Sequence, residues 1–206
     1  VRTHAHSILD RMVSKSPIPV INGLSDTHHP CQVLADLQTL MQRYRDLGGL
    51  KLAYVGDGNN MLHSLLLLAP ILGVDVHYAC PAGYEPSSLV VRQAKKRAKD
   101  AGRQVVAHAS PVEAVKSANA VYTDVWTSMG FEQEETDRDK VFQAYQLNEE
   151  LYSHADPKAA IMHCMPMIKE KEITAALVEH ENSVLFQQAE NRMHAQKALL
   201  IGLLGK

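Results

Sequence analysis

The feature that most constrains this chain is an alternation of short aliphatic runs with longer helical patterns. Residues 51–55, 74–79, 104–108, 120–123 and 159–163 read as strands, and their near-continuous apolar character suits strands covered on both faces. Between them, 60–72, 87–101 and 111–117 carry helical spacing. Ser87 and Ser88 are placed to cap the second of these helices, and Pro111 fits the first turn of the third. Parallel strands need crossover connections, so the alternation predicts an α/β fold built on a doubly wound parallel sheet. On the flanks, 31–46 and 187–203 read as long amphipathic helices. The short apolar stretch 18–21 runs into the turn pair Asn22-Gly23. Residues 129–138 are polar, acidic and weakly patterned, which predicts a mobile loop.

A chain of 206 residues is ample for a sizeable core in one large domain or one and a half. Its 21 Lys and Arg against 23 Asp and Glu give a net charge of −2. No broad positive footprint for nucleic acid follows from that balance. The longest apolar run, 65–74, is about half of what a bilayer needs, and no basic-then-apolar pattern at the N-terminus points to secretion. The three cysteines, Cys31, Cys80 and Cys164, are widely spaced with no C-x-x-C pair. That argues against a disulfide framework and a zinc knuckle, and fits a reducing cytoplasm. The sequence begins with Val1 and not Met, which raises the expectation of a fragment.

Five polar clusters stand out. Gly56-Asp57-Gly58-Asn59-Asn60 follows the first strand and opens a helix, at the carboxyl edge where doubly wound sheets bind ligands. A dinucleotide fingerprint needs a third glycine where this chain has Met61, and an acid after the next strand where it has Cys80. The nicotinamide reading is therefore poor. The two carboxamides point to a small polar molecule, or to a tight turn in which Asn60 caps its helix. His28-His29-Pro30-Cys31-Gln32 opens the long helix, where free N–H groups favour an anion and where His29 and Gln32 share a face. The alternative is a capped helix with a surface histidine pair. His4 and His6 read as exposed, and no metal-ligand run such as H-E-x-x-H occurs.

Asp124, with Ser128 and Gly130 after it, follows the fourth strand and could hold a cationic amine or simply form an Asx turn. His163-Cys164-Met165-Pro166 follows the fifth strand. Cys164 could be a nucleophile, a polar contact or a buried small hydrophobe, the first weakened because His163 would point to the opposite side. Arg192, near the start of the last helix, could fork onto a phosphate or carboxylate, or lie over a surface. Most of these clusters share one edge of the sheet, so the residues describe a pocket for a small, polar, partly anionic substrate.

Taken in order, 20–26, His29-Pro30-Cys31-Gln32, Leu34-Ala35-Asp36, Gly56 to Asn60, Asp124-x-Trp126-x-Ser128-Met129-Gly130, His163-Cys164-Met165-Pro166 and Ala189-Glu190-Asn191-Arg192 resemble the ornithine branch of the aspartate/ornithine carbamoyltransferase family, from Arg2 to the chain's end. The resemblance implies carbamoyl transfer from carbamoyl phosphate to the δ-amine of ornithine, giving citrulline and phosphate, with no metal or organic cofactor. It implies that Arg2, His29, Gln32, Cys164, Met165 and Arg192 contact carbamoyl phosphate. Asn60, Asp124, Ser128 and Met129 would hold ornithine, the last two from a loop that closes over it. Cys164 and Asp124 would flank the reacting amine as the catalytic pair, Cys164 as an orienting group and not a covalent nucleophile.

It also implies small-molecule partners only, with no nucleic acid or membrane, a cytoplasmic location, and a homotrimer for a full-length protein. Arginine biosynthesis is the expected role ahead of breakdown. Residues 1–29 correspond to a remnant of a carbamoyl-phosphate domain, 30–46 to a linking helix, 47–186 to the ornithine-binding α/β domain, and 187–206 to a helix returning to the first domain. Two departures are visible. The fourth cluster reads H-C-M-P where the family usually has H-C-L-P, and the family's S-x-R-T phosphate motif does not occur. The second departure predicts weak carbamoyl phosphate binding by the chain as given. It also leaves open a non-catalytic paralogue that binds ornithine or a partner chain.

Overall fold

A computed structural model describes residues 1–127, 133 and 135–205. Five strands, β1 (Lys51–Val55), β2 (Asp75–Ala79), β3 (Val105–Ala107), β4 (Ala120–Thr123) and β5 (Ala160–His163), form one sheet in the order β3-β2-β1-β4-β5. Every pairing is parallel, with Tyr54 level with Tyr78 on one side and Tyr122 on the other. Alternate side chains enter two cores. Leu52, Tyr54, Tyr122 and Met162 face one, whereas Ala53, Val55, Val121 and Ile161 face the other. Both faces are therefore covered, which accounts for the unbroken aliphatic runs. The doubly wound sheet expected from the sequence is present.

The helices are α1 (His6–Val13), α2 (Pro30–Tyr44), α3 (Asn60–Leu68), α4 (Ser88–Asp100), α5 (Pro111–Val115), α6 (Glu135–Phe142), α7 (Glu149–Tyr152), α8 (Ala175–Val178) and α9 (Leu185–Leu204). The pattern at 60–72 divides, because Pro70 removes a backbone donor and the chain tightens into a 3₁₀ turn over Ala69–Leu72. Ser87 occupies the cap position of α4 without a side-chain bond. Pro111 does open α5, behind a Ser110 cap. Helices α1, α7 and α8 were not expected from the sequence; α7 and α8 are four residues each, too short to show a period. Within 129–138, the expected loop gives way at Glu135 to α6, where Arg138 is buried.

Helices α2 and α9 pack along a polar seam. Arg192 donates to Gln32 at 2.6 Å, Gln188 to Asp36 at 2.7 Å, and Asn191 to Thr39 at 2.8 Å. Partners recur at roughly one-turn intervals, so this buried seam fixes the register between the helices.

Candidate active site

The strand order turns back between β1 and β4, so the segments after β1, β4 and β5 meet at one carboxyl edge. After β1, Gly56 takes φ 140°, a conformation that favours glycine. Gly58 presses against a neighbouring segment: its N–H donates to the Tyr84 carbonyl at 2.8 Å. A Cβ at Gly58 would fall inside the backbone of Tyr84, Glu85 and Pro86. Asn59, and not Asn60 as the turn reading had it, caps α3 by accepting from Met61 and Leu62 N–H. Its amide donates at 2.8 Å to Asp124 Oδ2. Asn60 instead donates to the Ser25 carbonyl at 2.6 Å, tying the N-terminal segment to the sheet edge.

Asp124 is the hub. Its Oδ1 accepts from the Cys164 thiol at 2.9 Å and from Val125 N–H at 2.7 Å. Burial first, then the Asp124 charge, push the Cys164 thiol well above its ordinary range. The group beside Asp124 is thus a proton-bearing thiol, a poor nucleophile but a good orienting donor. Next to it, fully buried His163 accepts Met165 N–H on Nδ1 at 2.9 Å, which leaves the proton on Nε2, 3.1 Å from Glu172 Oε1. That tautomer shapes the 164–168 turn, where Met165 takes φ 57° and the Met165–Pro166 peptide is cis.

The opposing group of residues comes from the N-terminal segment, α2 and α9. His29 N–H donates to Ser64 Oγ at 2.7 Å, and Arg192 Nη1 lies 3.4 Å from His29 Nε2. Burial, reinforced by Arg192 and Arg2, lowers the His29 pKa to about 4, so the imidazole is neutral near pH 7. Backbone pairing of Arg2 with Leu24 brings Arg2 to the same place. A cavity of about 480 Å³ results, lined among others by Arg2, His29, Asn60, Asp124, Cys164, Met165 and Arg192.

Of the residues named from sequence, those seven converge. Gln32 stands behind them, 1% exposed, reaching the cavity through Arg192. Ser128 and Met129 lie outside the described residues. His4 is exposed as expected, yet it lines the cavity wall; His6 is half-buried, bonded to Ser25 Oγ at 2.8 Å.

Three residues were given no role in the site from the sequence: Asp36, Gln188 and Arg138. Asn59 was read with Asn60 as a carboxamide pair, without its bond to Asp124. Asp36 had a signal. It lies on the apolar face of α2 between Val33 and Leu40, and it is fully buried. Gln32 and Gln188 donate to its Oδ1 and Tyr122 to its Oδ2. Burial outweighs those donors and raises its pKa to about 7.

Among the described residues, Asp124, His163 and Cys164 bring possible metal-ligating atoms within 4.8 Å of one another. A cation there would have to displace the Met165 N–H and Cys164–Asp124 bonds and deprotonate a high-pKa thiol. Among the same residues, no helix is long and apolar enough to cross a membrane.

Fold and cavity together define a doubly wound α/β protein with a small-molecule site at its switch point, basic on one side and acidic on the other. Residues 48–203 match the aspartate/ornithine-binding domain of the aspartate/ornithine carbamoyltransferases, and 1–42 match their carbamoyl-phosphate-binding domain. The chain belongs to the aspartate/ornithine carbamoyltransferase family. It is 46% identical over 205 residues to the ornithine carbamoyltransferase of Methanothermobacter thermautotrophicus, covering all of this chain and 68% of that protein. To the ornithine carbamoyltransferase of Carboxydothermus hydrogenoformans it is 47% identical, covering all of this chain and 66% of that one. The solved ornithine carbamoyltransferase of Pyrococcus furiosus superposes with a TM-score of 0.95 at 44% identity, over 99% of this chain and 65% of that structure. The chain thus spans about two thirds of the length of these relatives.

Proposed function

We propose that the protein transfers a carbamoyl group from carbamoyl phosphate to the δ-amine of ornithine, yielding citrulline and phosphate. The observation that carries this reading is the division of the cavity lining between Arg2, His29 and Arg192 and the Asp124–Cys164 pair. A dianionic donor is attracted to the first set, and an ammonium-bearing acceptor to the second. The ammonium must give up one proton, which the Asp124 carboxylate can accept. The neutral amine then attacks the carbonyl carbon, building negative charge on its oxygen until the C–O bond to phosphate breaks and phosphate leaves. In this reading Arg2 and His29 stabilise that oxygen, and Gln32, which accepts from Arg192, holds it toward the same ligand. Such preorganised groups are usually the largest electrostatic contribution to acyl-type transfer. Asp124 takes the ammonium, and the Cys164 thiol, already donating to Asp124, orients the amine beside the carbamoyl carbon. Holding both reactants in line contributes on the order of 7–11 kcal/mol.

Within the same reading, Asn60, Ser128 and Met129 hold ornithine, the last two at its amino-acid end, and Met165 faces the carbamoyl group. Domain limits at 1–29, 30–46, 47–186 and 187–206, a cytoplasmic homotrimer for the full-length protein and a place in arginine biosynthesis complete it, all on the family resemblance. The test is citrulline formation with ornithine, putrescine and N-acetylornithine offered separately, for the full-length protein and its Asp124→Ala variant. Ornithine should be the preferred acceptor, and the variant should show a higher ornithine KM and a lower kcat. An unchanged citrulline rate in Asp124→Ala would remove Asp124 from the mechanism.

A further inference from the structure

We infer that Arg138 is a positioning residue for the amine acceptor, clasping together the two turns that aim Asp124; the inference rests on the proposed carbamoyl transfer. Arg138 does not line the 480 Å³ cavity. It lines a second one of about 300 Å³ beside it, with Asp57, Gly58, Asn59 and Asn60 among the neighbours. Its side chain is only 5% exposed, and one guanidinium nitrogen donates to Asp57 Oδ2. Nε donates to the Trp126 carbonyl at 2.6 Å. The guanidinium also lies 4.6 Å from the Tyr84 ring centre and 5.1 Å from that of Phe142.

These contacts join three segments that share no strand. Asp57 belongs to the turn after β1, Trp126 to the turn after β4, and Tyr84 to the segment against which Gly58 is pressed. The Asn59–Asp124 hydrogen bond spans the first two of these segments. Asn59 is two residues from Asp57, and Asp124 is two residues from Trp126, so Arg138 closes a loop of contacts around that bond. A planar fork suits the task, because one group must serve a carboxylate and a backbone carbonyl in fixed directions while stacking on aromatic rings. Asp57, mostly buried, has its pKa raised to about 6, burial outweighing the pairing with Arg138. The arginine therefore does two separable things: it neutralises Asp57, and it sets the distance between the two turns.

Substitution can separate them. Arg138→Met keeps a flexible apolar stem between Tyr84 and Phe142 but leaves Asp57 buried and unpaired; adding Asp57→Asn removes that charge without rebuilding the clasp. Melting temperature, KM for each substrate, and calorimetric titration with ornithine are measured for the wild type, both single variants and the double variant. Arg138→Met should melt lower and raise the ornithine KM at least tenfold, with the carbamoyl phosphate KM within twofold of wild type. The double variant should recover the melting temperature and keep the raised ornithine KM and weakened ornithine titration. Recovery of the ornithine KM together with stability would reduce Arg138 to a counter-ion and overturn the inference, as would an equal rise in both KM values. If Arg138→Met does not fold, the double variant alone decides between these outcomes. An active wild type with no change in the double variant sinks only the role of Arg138. A wild type that neither binds nor carbamoylates ornithine sinks the proposed function and this inference together, and one that binds without turnover leaves the titration to judge the clasp.

Discussion

Replacing Asp36 with asparagine should change how stability depends on pH, by an amount that follows from its burial. Asp36 is fully enclosed between α2, β4 and α9, and its pKa is raised from 3.8 to about 7. Below pH 3.8 the carboxyl holds its proton in the folded and the unfolded chain alike, and contributes no penalty. As pH rises, the unfolded chain releases the proton first, so the folded state loses ground until about pH 7 and no further. At about 1.4 kcal/mol for each pH unit of that window, the cumulative loss is about 4 kcal/mol. The carboxamide of Asp36→Asn would not titrate. Its oxygen can still accept from Gln32 and Gln188, and its amide can donate to the Tyr122 hydroxyl, which has lone pairs to spare. Urea unfolding of both proteins from about pH 4 to about pH 8 reads the difference by linear extrapolation. The stability difference should swing by about 4 kcal/mol in favour of the variant across the series. Asp57, also raised, is common to both proteins and cancels. Parallel curves with a constant offset would show that Asp36 is ionised in its native site at every pH tested, and would refute the reasoning.

Other expectations are simpler. Cys164→Ser should slow citrulline formation but leave measurable turnover, since the serine hydroxyl can still donate to Asp124; complete loss with intact folding would instead argue for a covalent step. Gly58→Ala should cost more than about 3 kcal/mol, because the added Cβ meets the backbone of 84–86 and not a movable side chain. A change under about 1 kcal/mol by urea unfolding would mean that the segment yields freely.

The sheet was legible because burial on both faces leaves a simple mark, a run of aliphatic residues bounded by turn signals. The long α2 and α9 were legible within two residues at each end for a related reason, their apolar faces being several turns long. The candidate site was only partly legible. Asp124 and Cys164 show themselves by position, each just past a strand, and the structure brings them within hydrogen-bonding distance. Arg138 shows nothing of the kind. Its neighbours in sequence are acidic and polar, and the groups that bury it, Tyr84, Asp57 and Trp126, come from distant segments. Asn59 and Asn60 were visible as a pair, but their division of labour depends on φ and ψ at the helix start, which composition does not encode. Asp36 could have been found by asking why a carboxyl interrupts an apolar helix face.

Gly58 makes the width of the smaller cavity, the one that Arg138 lines, a heritable quantity. At Gly58 the turn after β1 meets the backbone of the 84–86 segment directly, so any side chain at that position would force the two apart. A lineage adapting this scaffold to a bulkier amine would have to move the 84–86 segment itself, together with the Tyr84 ring that stacks on Arg138. Acceptor choice on this scaffold should therefore change in steps, through insertions or deletions around residues 81–87, and seldom by gradual drift at residue 58.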